Sequence, residues 1–261
     1  MKFRWSNFSL LFLCISLALS CDSDDEKIVC LLSSVKTGDV TEEYIYNSEN
    51  KIEALLIHSD EGEAKANLEY NDKGQFIKME SFDVSEPEEF DTYELVYDNN
   101  NNPQKLNYWS PEKDLSGPPQ SVLTFYHDGR NRLIKLEISY DGVVWHSRRF
   151  EYDIRGNVNK IFFSYQEEEF LGVENLSFDN KPKYYGLTPE LETLSVYIRF
   201  FQPGKNNPLT ARIYADANSQ AVAMTYAVGY DENGLIASNK ASTSSSGNNP
   251  EFEVATYNCQ L

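Results

Sequence analysis

An all-β chain is predicted: one antiparallel meander of about 14–16 strands, built from repeated β-hairpins and curled or barrel-like, because flat open sheets of that size are rare. Two observations predict it. A short turn motif recurs at a near-constant spacing along most of the 261 residues. The segments on either side of each copy alternate apolar and polar residues, as in Tyr93-x-Leu95-x-Tyr97 and Tyr226-x-Val228-x-Tyr230.

The motif is an aromatic, then Asp or Asn, two variable residues, Gly or Asn, and an apolar residue two places on. Its copies begin their turns at Asn47, Asn71, Asp98, Asp128, Asp153, Asp179 and Asp231, with gaps of 24, 27, 30, 25, 26 and 52. The last gap is twice 26, which predicts a worn copy near Lys205-Asn206-Asn207-Pro208. An Asp or Asn at the first position bonds the backbone two residues on, and the fourth position needs positive φ. Gly74, Gly156 and Gly234 supply it, and Asn50, Asn101 and Asn131 stand in, since Asn tolerates the left-handed region. This is a type I turn closed by a left-handed residue. Pro182 cannot adopt positive φ, so the sixth copy must turn differently. In the fourth copy His127 reads as one extra residue between Tyr126 and Asp128.

Such a turn pairs Tyr46 with Ile52, Tyr70 with Phe76, Tyr152 with Val158 and Tyr230 with Ile236. A second apolar set, Leu55, Met79, Leu106, Leu136 and Ile161, falls on the opposite face by strict period-two counting. Either both faces are covered or a bulge resets the parity. Lys78, Lys105, Lys135 and Lys160 recur just before that set, as a solvated row or as an anion-binding ladder. One short helix is expected near 189–200, capped by Thr188 with Pro189 in its first turn. Loops are expected at 110–121 and 240–250, both rich in turn residues.

Ahead of the repeats, residues 1–20 have the form of a secretory signal: Lys2 and Arg4, an apolar run from Phe8 to Leu19, and Ser20. Leu17-Ala18-Leu19-Ser20-Cys21 resembles the lipobox of bacterial lipoproteins, with Ala18 where that family usually has leucine. The resemblance implies cleavage after Ser20, a diacylglyceryl group on Cys21 and an acylated new amino terminus, hence anchoring to a membrane. Residues 21–29 read as an acidic tether. Asp22-Ser23-Asp24-Asp25-Glu26 resembles the export signal of surface lipoproteins of Bacteroidota, which implies the outer face of the outer membrane. Residues 30–261 then form a single hairpin-repeat domain.

Removing Lys2 and Arg4 takes the formal charge from −18 to −20. That acidity argues against nucleic acid as a partner and leaves a glycan or an envelope protein open. Of the four cysteines, Cys14 leaves with the signal and Cys21 takes lipid; Cys30 and Cys259 remain, one near each end. In an oxidising compartment they are a disulfide candidate, the alternative being two buried thiols that never meet.

The Tyr-Asp-x-x-Gly pattern is similar to the YD repeat of Rhs and teneurin shells. The mature chain also resembles a group of Bacteroidota lipoproteins with such hairpins, an Asp-Asn-Lys-x-Pro-like segment (here Asp179 to Pro182), a short helix (here after Pro189), a Lys-Asn-Asn-Pro turn (Lys205 to Pro208) and a final strand ending in Cys (Phe252 to Cys259). The family implies an all-β fold and assigns no catalytic residue. No zinc-protease, nucleophile-elbow or phosphate-loop signature occurs, and His58, His127 and His146 share no ligand-like spacing. No cofactor or metal is expected. Two acidic clusters, Glu86-Glu88-Glu89-Asp91 and Glu167-Glu168-Glu169, keep a carboxylate-dependent glycoside hydrolase as the alternative to a non-catalytic binding or scaffolding module. Asp231-Glu232-Asn233-Gly234 reads as a turn rather than a calcium loop, because further ligand positions are missing.

Overall fold

The computed structural model describes residues 29–112, 115–165, 168–182, 203–243 and 252–260. The signal, Cys21, most of the tether and the helix expected at 189–200 lie outside them. Sixteen antiparallel strands follow one another and close into a barrel. They are β1 Val29–Thr37, β2 Val40–Tyr46, β3 Ile52–Ser59, β4 Gly62–Tyr70, β5 Phe76–Asp83, β6 Phe90–Tyr97, β7 Pro103–Trp109 and β8 Ser121–His127. The circuit continues with β9 Leu133–Tyr140, β10 Val143–Tyr152, β11 Val158–Tyr165, β12 Glu168–Pro182, β13 Asn206–Ile213, β14 Val222–Tyr230, β15 Ile236–Thr243 and β16 Phe252–Gln260. The strands thus reach into both expected loops: Ser121 opens β8, and Lys240 to Thr243 continue β15.

The repeat turns reverse the chain as their chemistry dictates. In the first, the Asn47 amide donates to the Lys51 carbonyl (2.8 Å) and the Asn50 amide to the Asn47 carbonyl (3.0 Å). Asn47 Oδ1 accepts the amides of Glu49 (2.9 Å) and Lys51 (3.1 Å). The same double acceptance recurs at Asn71, Asp98, Asp128, Asp153 and Asp231. The fourth residue is left-handed in all six, with φ of 61° at Asn50 and 79° at Gly74.

Each of these turns is followed by a bulge, which settles the parity. Tyr46 faces Ile52 but Ile45 faces Ala54, so Glu53 is an extra residue. Ile52 and Leu55, three apart, therefore share a face, and both are buried in one core with Phe76, Met79, Leu106, Leu136, Val158 and Ile161. No described strand lies outside the barrel to cover these residues, so that face points inward.

Successive units are stitched by the tyrosine of the motif. Its hydroxyl donates to the carbonyl of the first apolar residue of the preceding unit: Tyr46 to Leu32, Tyr70 to Ile52 and Tyr97 to Phe76 (2.8 Å each), Tyr152 to Leu133 (2.7 Å), and Tyr257 to Ile236 (2.8 Å). Each such bond contributes about 0.5–1.5 kcal/mol net. Burial pushes the Tyr152 hydroxyl up to about 12.

Two copies depart from the sequence reading. His127 is not an extra residue: it faces Leu133 in the aromatic slot, and Tyr126 points outward to Glu137 (2.5 Å). The worn copy expected at 205–208 is no turn but the start of β13. Asp179 likewise lies within β12 rather than at a local reversal. Its Oδ1 still accepts the amide two residues on, from Lys181 (3.1 Å), but its second amide comes from Asn207 (3.1 Å). Asn207 Nδ2 also reaches Asp179 Oδ2 (3.1 Å), as Asn157 Nδ2 reaches Asp153 Oδ2 (3.2 Å). Asp179 and Asn207 are therefore the two halves of one turn, split by the 24 residues 183–206. The long gap holds an insertion, not a further copy.

An eighth unit is made from the two ends of the chain. Tyr257 faces Leu32, and Thr256 faces Ser34, leaving Ser33 as the bulge. Where the other units have a turn, this one has the Cys30–Cys259 disulfide (S–S 2.03 Å).

The outer face is charged. Lys78 contacts Glu80 (2.7 Å) and Glu69 (3.6 Å), Lys135 contacts Glu137 (2.6 Å), and Arg149 joins Glu151 and Glu169 (2.7 Å each). Lys78 and Lys135 of the recurring slot thus belong to mixed-sign networks rather than to an anion ladder.

The turn carboxylates make stability sensitive to acid. The Arg132 amide and guanidinium pull Asp128 from its ordinary 3.8 down to about 2. The Asn102 amide lowers Asp98; at Asp153 burial is the largest single influence and pushes upward, but the Asn157 amide and side chain and the amides of Arg155 and Gly156 together outweigh it and leave the carboxyl lowered. A folded-state value below the unfolded one gives stability above about pH 4 that is lost as pH falls towards 2. Asp128→Asn keeps the accepting oxygen, as Asn47 and Asn71 do. It is expected to flatten the fall of Tm between pH 4 and 2, followed by circular dichroism; an unchanged slope would refute this assignment.

Candidate functional site

The repeat turns all lie on one rim of the barrel, together with Val29 at the start of β1 and the Cys30–Cys259 bridge. This placement follows from up-and-down topology: every even-numbered strand runs towards that rim. Asn47, Asn50, Asn71, Gly74, Asp98, Asn101, Asp128, Asn131, Asp153, Gly156, Asp231 and Gly234 are spread around it as separate turns. They bring no catalytic or ligand-binding cluster together.

The inner face changes character towards the other rim. Along β9, Leu136 is 1% exposed, Ile138 is half-buried and Tyr140 is 40% exposed. Along β10 the order is Phe150 buried, Arg148 half-buried, His146 exposed. Along β11, Ile161 is 3% exposed, Phe163 half-buried and Tyr165 47% exposed. On these strands the inward side chains are thus buried beside the repeat turns and become exposed towards the opposite rim.

Within that opening, β9 to β12 and the loop after β13 line a cavity of about 360 Å³. Pairing sets its walls as two rows. Ile138, His146 and Tyr165 form the outer row; Leu136, Arg148, Phe163 and Phe170 form the deeper one. The His146 and Tyr165 rings lie 4.7 Å apart, and Phe163 meets Phe170 edge-on at 6.0 Å. Arg148 Cζ sits 5.7 Å from the Phe163 ring centre, and burial pushes its guanidinium down from the ordinary arginine value. Gly172 is the bulge residue that makes room for Phe163: a methyl group there would fall 2.0 Å from the ring. The Tyr214 amide donates to the Gly172 carbonyl (2.9 Å), holding the loop that brings Ala215 to the cavity.

The acidic clusters do not converge here. Glu86, Glu88 and Glu89 lie exposed in the turn after β5, and Asp91 accepts the Tyr108 hydroxyl (2.8 Å). Glu169 points outward and is held by Arg149 (2.7 Å); Glu167 lies outside the described residues. No group of three metal-ligating side chains occurs among the described residues.

Sequence reading missed Arg148 and its neighbours. The signal was present in the repeats themselves. Four residues before the motif aromatic, the other copies hold Glu42, Ala66, Tyr93, Leu123, Glu174 and Tyr226, and Arg148 alone puts a cation there.

No protein-family model matches the chain, and no curated protein does. Solved structures do match. A porin-like protein from Bacteroides uniformis aligns with 88% of this chain and 96% of its own at a TM-score of 0.54 and 15% identity. What the two share is the fold. A porin-like protein from Bacteroides vulgatus aligns at a TM-score of 0.40 and 7% identity, covering 87% of this chain and 99% of its own. The toxin assembly TcdB2-TccC3-TEV aligns at 0.33 and 11% identity; 85% of this chain spans only 14% of that one.

Proposed function

We propose that the chain is a lipid-anchored protein of the bacterial cell envelope, carried on the outer face of the outer membrane, that binds a partner without catalysis. The polarity of the barrel carries this reading. The tether from Cys21 to Val29 joins the barrel at the repeat-turn rim, so a lipid on Cys21 sets that rim towards the bilayer and the aromatic-lined opening away from it. Aromatic walls suit a glycan, an apolar side chain of an envelope protein or a small molecule.

The porin-like name of the B. uniformis protein raises a second arrangement, a barrel embedded in the membrane. The distribution of side chains speaks against it for this chain. A spanning barrel is apolar outside and polar within. Here the core lines the inside, and Lys78, Lys135 and Arg149 stand on the outside. Each such cation would cost about 2–4 kcal/mol at the bilayer midplane.

Expression of the full chain in a bacterial host fed labelled palmitate tests the proposal. The wild type is expected to take the label and fractionate with membranes until detergent is added. Cys21→Ser is expected to lose the label and become soluble in buffer. A Cys21→Ser protein that stays in the membrane after alkaline extraction would overturn the anchored arrangement.

A further inference from the structure

We infer that the rim opposite the repeat turns docks an arginine-rich segment of a partner protein, seated on the aromatic tip of the β9–β10 hairpin; this rests on the binding reading above and names its partner class. The tip is an exposed apolar patch on a rigid support. Asp141 and Gly142 have φ of 47° and 79°, and Val143 faces Tyr140 directly, which makes the two-residue turn whose twist matches its strands. Tyr140, Val143, Val144 and Trp145 are large apolar side chains, yet they are 40–61% exposed. Trp145 is the extra residue of a bulge between Val144 and His146. Its ring stands at 82° to that of Tyr140, with centres 6.5 Å apart. Two rings at a right angle offer walls against which a guanidinium stacks. Tyrosine and tryptophan surrounded by polar side chains are also the usual energetic centres of protein interfaces.

Charge names the occupant. The loops of this rim, at 38–39, 60–61, 84–89, 110–120, 141–142 and 214–221, hold nine Asp and Glu and no Lys or Arg among their described residues. Asp60, Glu61, Glu86, Glu88, Glu89 and Asp141 belong to this set, and none of the nine takes part in an ion pair among the described residues. The repeat turns at 47–51, 71–75, 98–102, 128–132, 153–157 and 231–235 are nearly balanced, with seven Asp and Glu against five Lys and Arg. The barrel is therefore negative at one end. Its field draws cations to the rim that bears the patch and repels anionic lipid and nucleic acid from it. The acidic loops extend round the rim from β1–β2 to β13–β14, farther than one small ion reaches. The fit is to a chain with several cations, one on the Tyr140–Trp145 corner and the others on the carboxylates.

Three peptides of one length test the inference on the Cys21→Ser protein lacking its signal: four Arg-Ser-Gly repeats, the same with citrulline for arginine, and the same with glutamate. Trp109 and Trp145 are then the only tryptophans, so their two indole N–H signals in NMR report separately. Trp109 is buried, its Nε1 donating to the Gly117 carbonyl (3.2 Å). The arginine peptide is expected to move the Trp145 signal more than that of Trp109 and to bind at least tenfold tighter than the citrulline peptide. Its affinity should fall at least tenfold between 50 and 300 mM sodium chloride, and the glutamate peptide should not bind. Trp145→Ala is expected to weaken the arginine peptide at least fivefold, and Ile154→Ala, an exposed apolar position on the other rim, less than 1.5-fold. If Trp145→Ala does not fold, the wild-type indole shifts and the order of the three peptides decide. Binding that leaves the Trp145 signal still and survives Trp145→Ala would be diffuse attraction and would overturn the docking surface. Equal binding of the arginine and citrulline peptides would overturn the basic partner, and no binding at millimolar peptide would overturn both. Sedimentation with phosphatidylglycerol vesicles, lost in Trp145→Ala, would overturn the inference in favour of a lipid surface. None of these results bears on the lipid anchor, which the palmitate experiment reads separately.

Discussion

Cys259→Ser should open the barrel at one seam and lower its stability more than any change to a surface side chain. The bridge joins residues 229 apart, and a cross-link of that span removes roughly 5 kcal/mol of chain entropy from the unfolded state on the loop-closure account. Its position adds a second expectation. The unit built from β16 and β1 has no turn of its own, so without the bridge nothing covalent holds those strands together there. Hydrogen exchange should therefore quicken first in residues 29–37 and 252–260, with β4 to β9 still protected. The measurement is urea denaturation combined with exchange mass spectrometry, with and without reductant for the wild type. Uniform loss of protection around the barrel would show that the bridge acts on the unfolded chain alone.

Phe76→Ala is expected to destabilise by about 3–5 kcal/mol, the usual cost of emptying a buried phenylalanine site. Phe76 is among the largest wholly buried side chains, and its ring meets that of Tyr70 edge-on at 6.3 Å. Its carbonyl accepts the Tyr97 hydroxyl, so it stands at a joint between two successive units. The shift of the urea midpoint at constant slope measures the loss. Ile154→Ala, at a fully exposed turn position with the same kind of side chain removed, should stay within about 0.5 kcal/mol. A small loss at Phe76 would mean that the interior relaxes to fill the space.

The comparison of these two residues shows what a sequence of this kind discloses. Phe76 and Ile154 are both apolar and both lie near a turn. Only the motif separates them, because Phe76 stands two places after the left-handed residue and Ile154 within the turn itself. Local hydrogen-bonding rules sufficed there: an Asp or Asn that accepts two amides, and a fourth residue with positive φ, require nothing from the rest of the molecule. The parity of Leu55, Met79 and Ile161 was ambiguous because a bulge changes the count without changing the residue pattern. Closure into a barrel was beyond reach for a different reason. It depends on Leu32 and Tyr257, which sit at opposite ends and carry only half of the repeating pattern each.

The split sixth unit misled for the same reason as the eighth. Asp179 and Asn207 look like the remains of two separate motifs, since a hydrogen bond carries no record of how many residues lie between its partners. The cavity was hidden more deeply. Its residues come from four strands and the loop after β13, and none belongs to the turn motif. Arg148 could be noticed only by setting the copies side by side and asking which inward position had changed its chemistry.

The way the chain ends meet has a bearing on how such a wall can be cut and rejoined. Seven links between neighbouring units are peptide and one is sulfur, yet all eight bring a motif aromatic, or the histidine in its place, against one of the first four residues of the next strand. The circle consequently has no privileged origin. A peptide splice in place of the bridge, with fresh termini placed at the Asp98 or Asp153 turn, would leave every strand beside its present neighbours. The natural break already interrupts the circle without spoiling it, and the 24 residues 183–206 show that another link tolerates a large insertion.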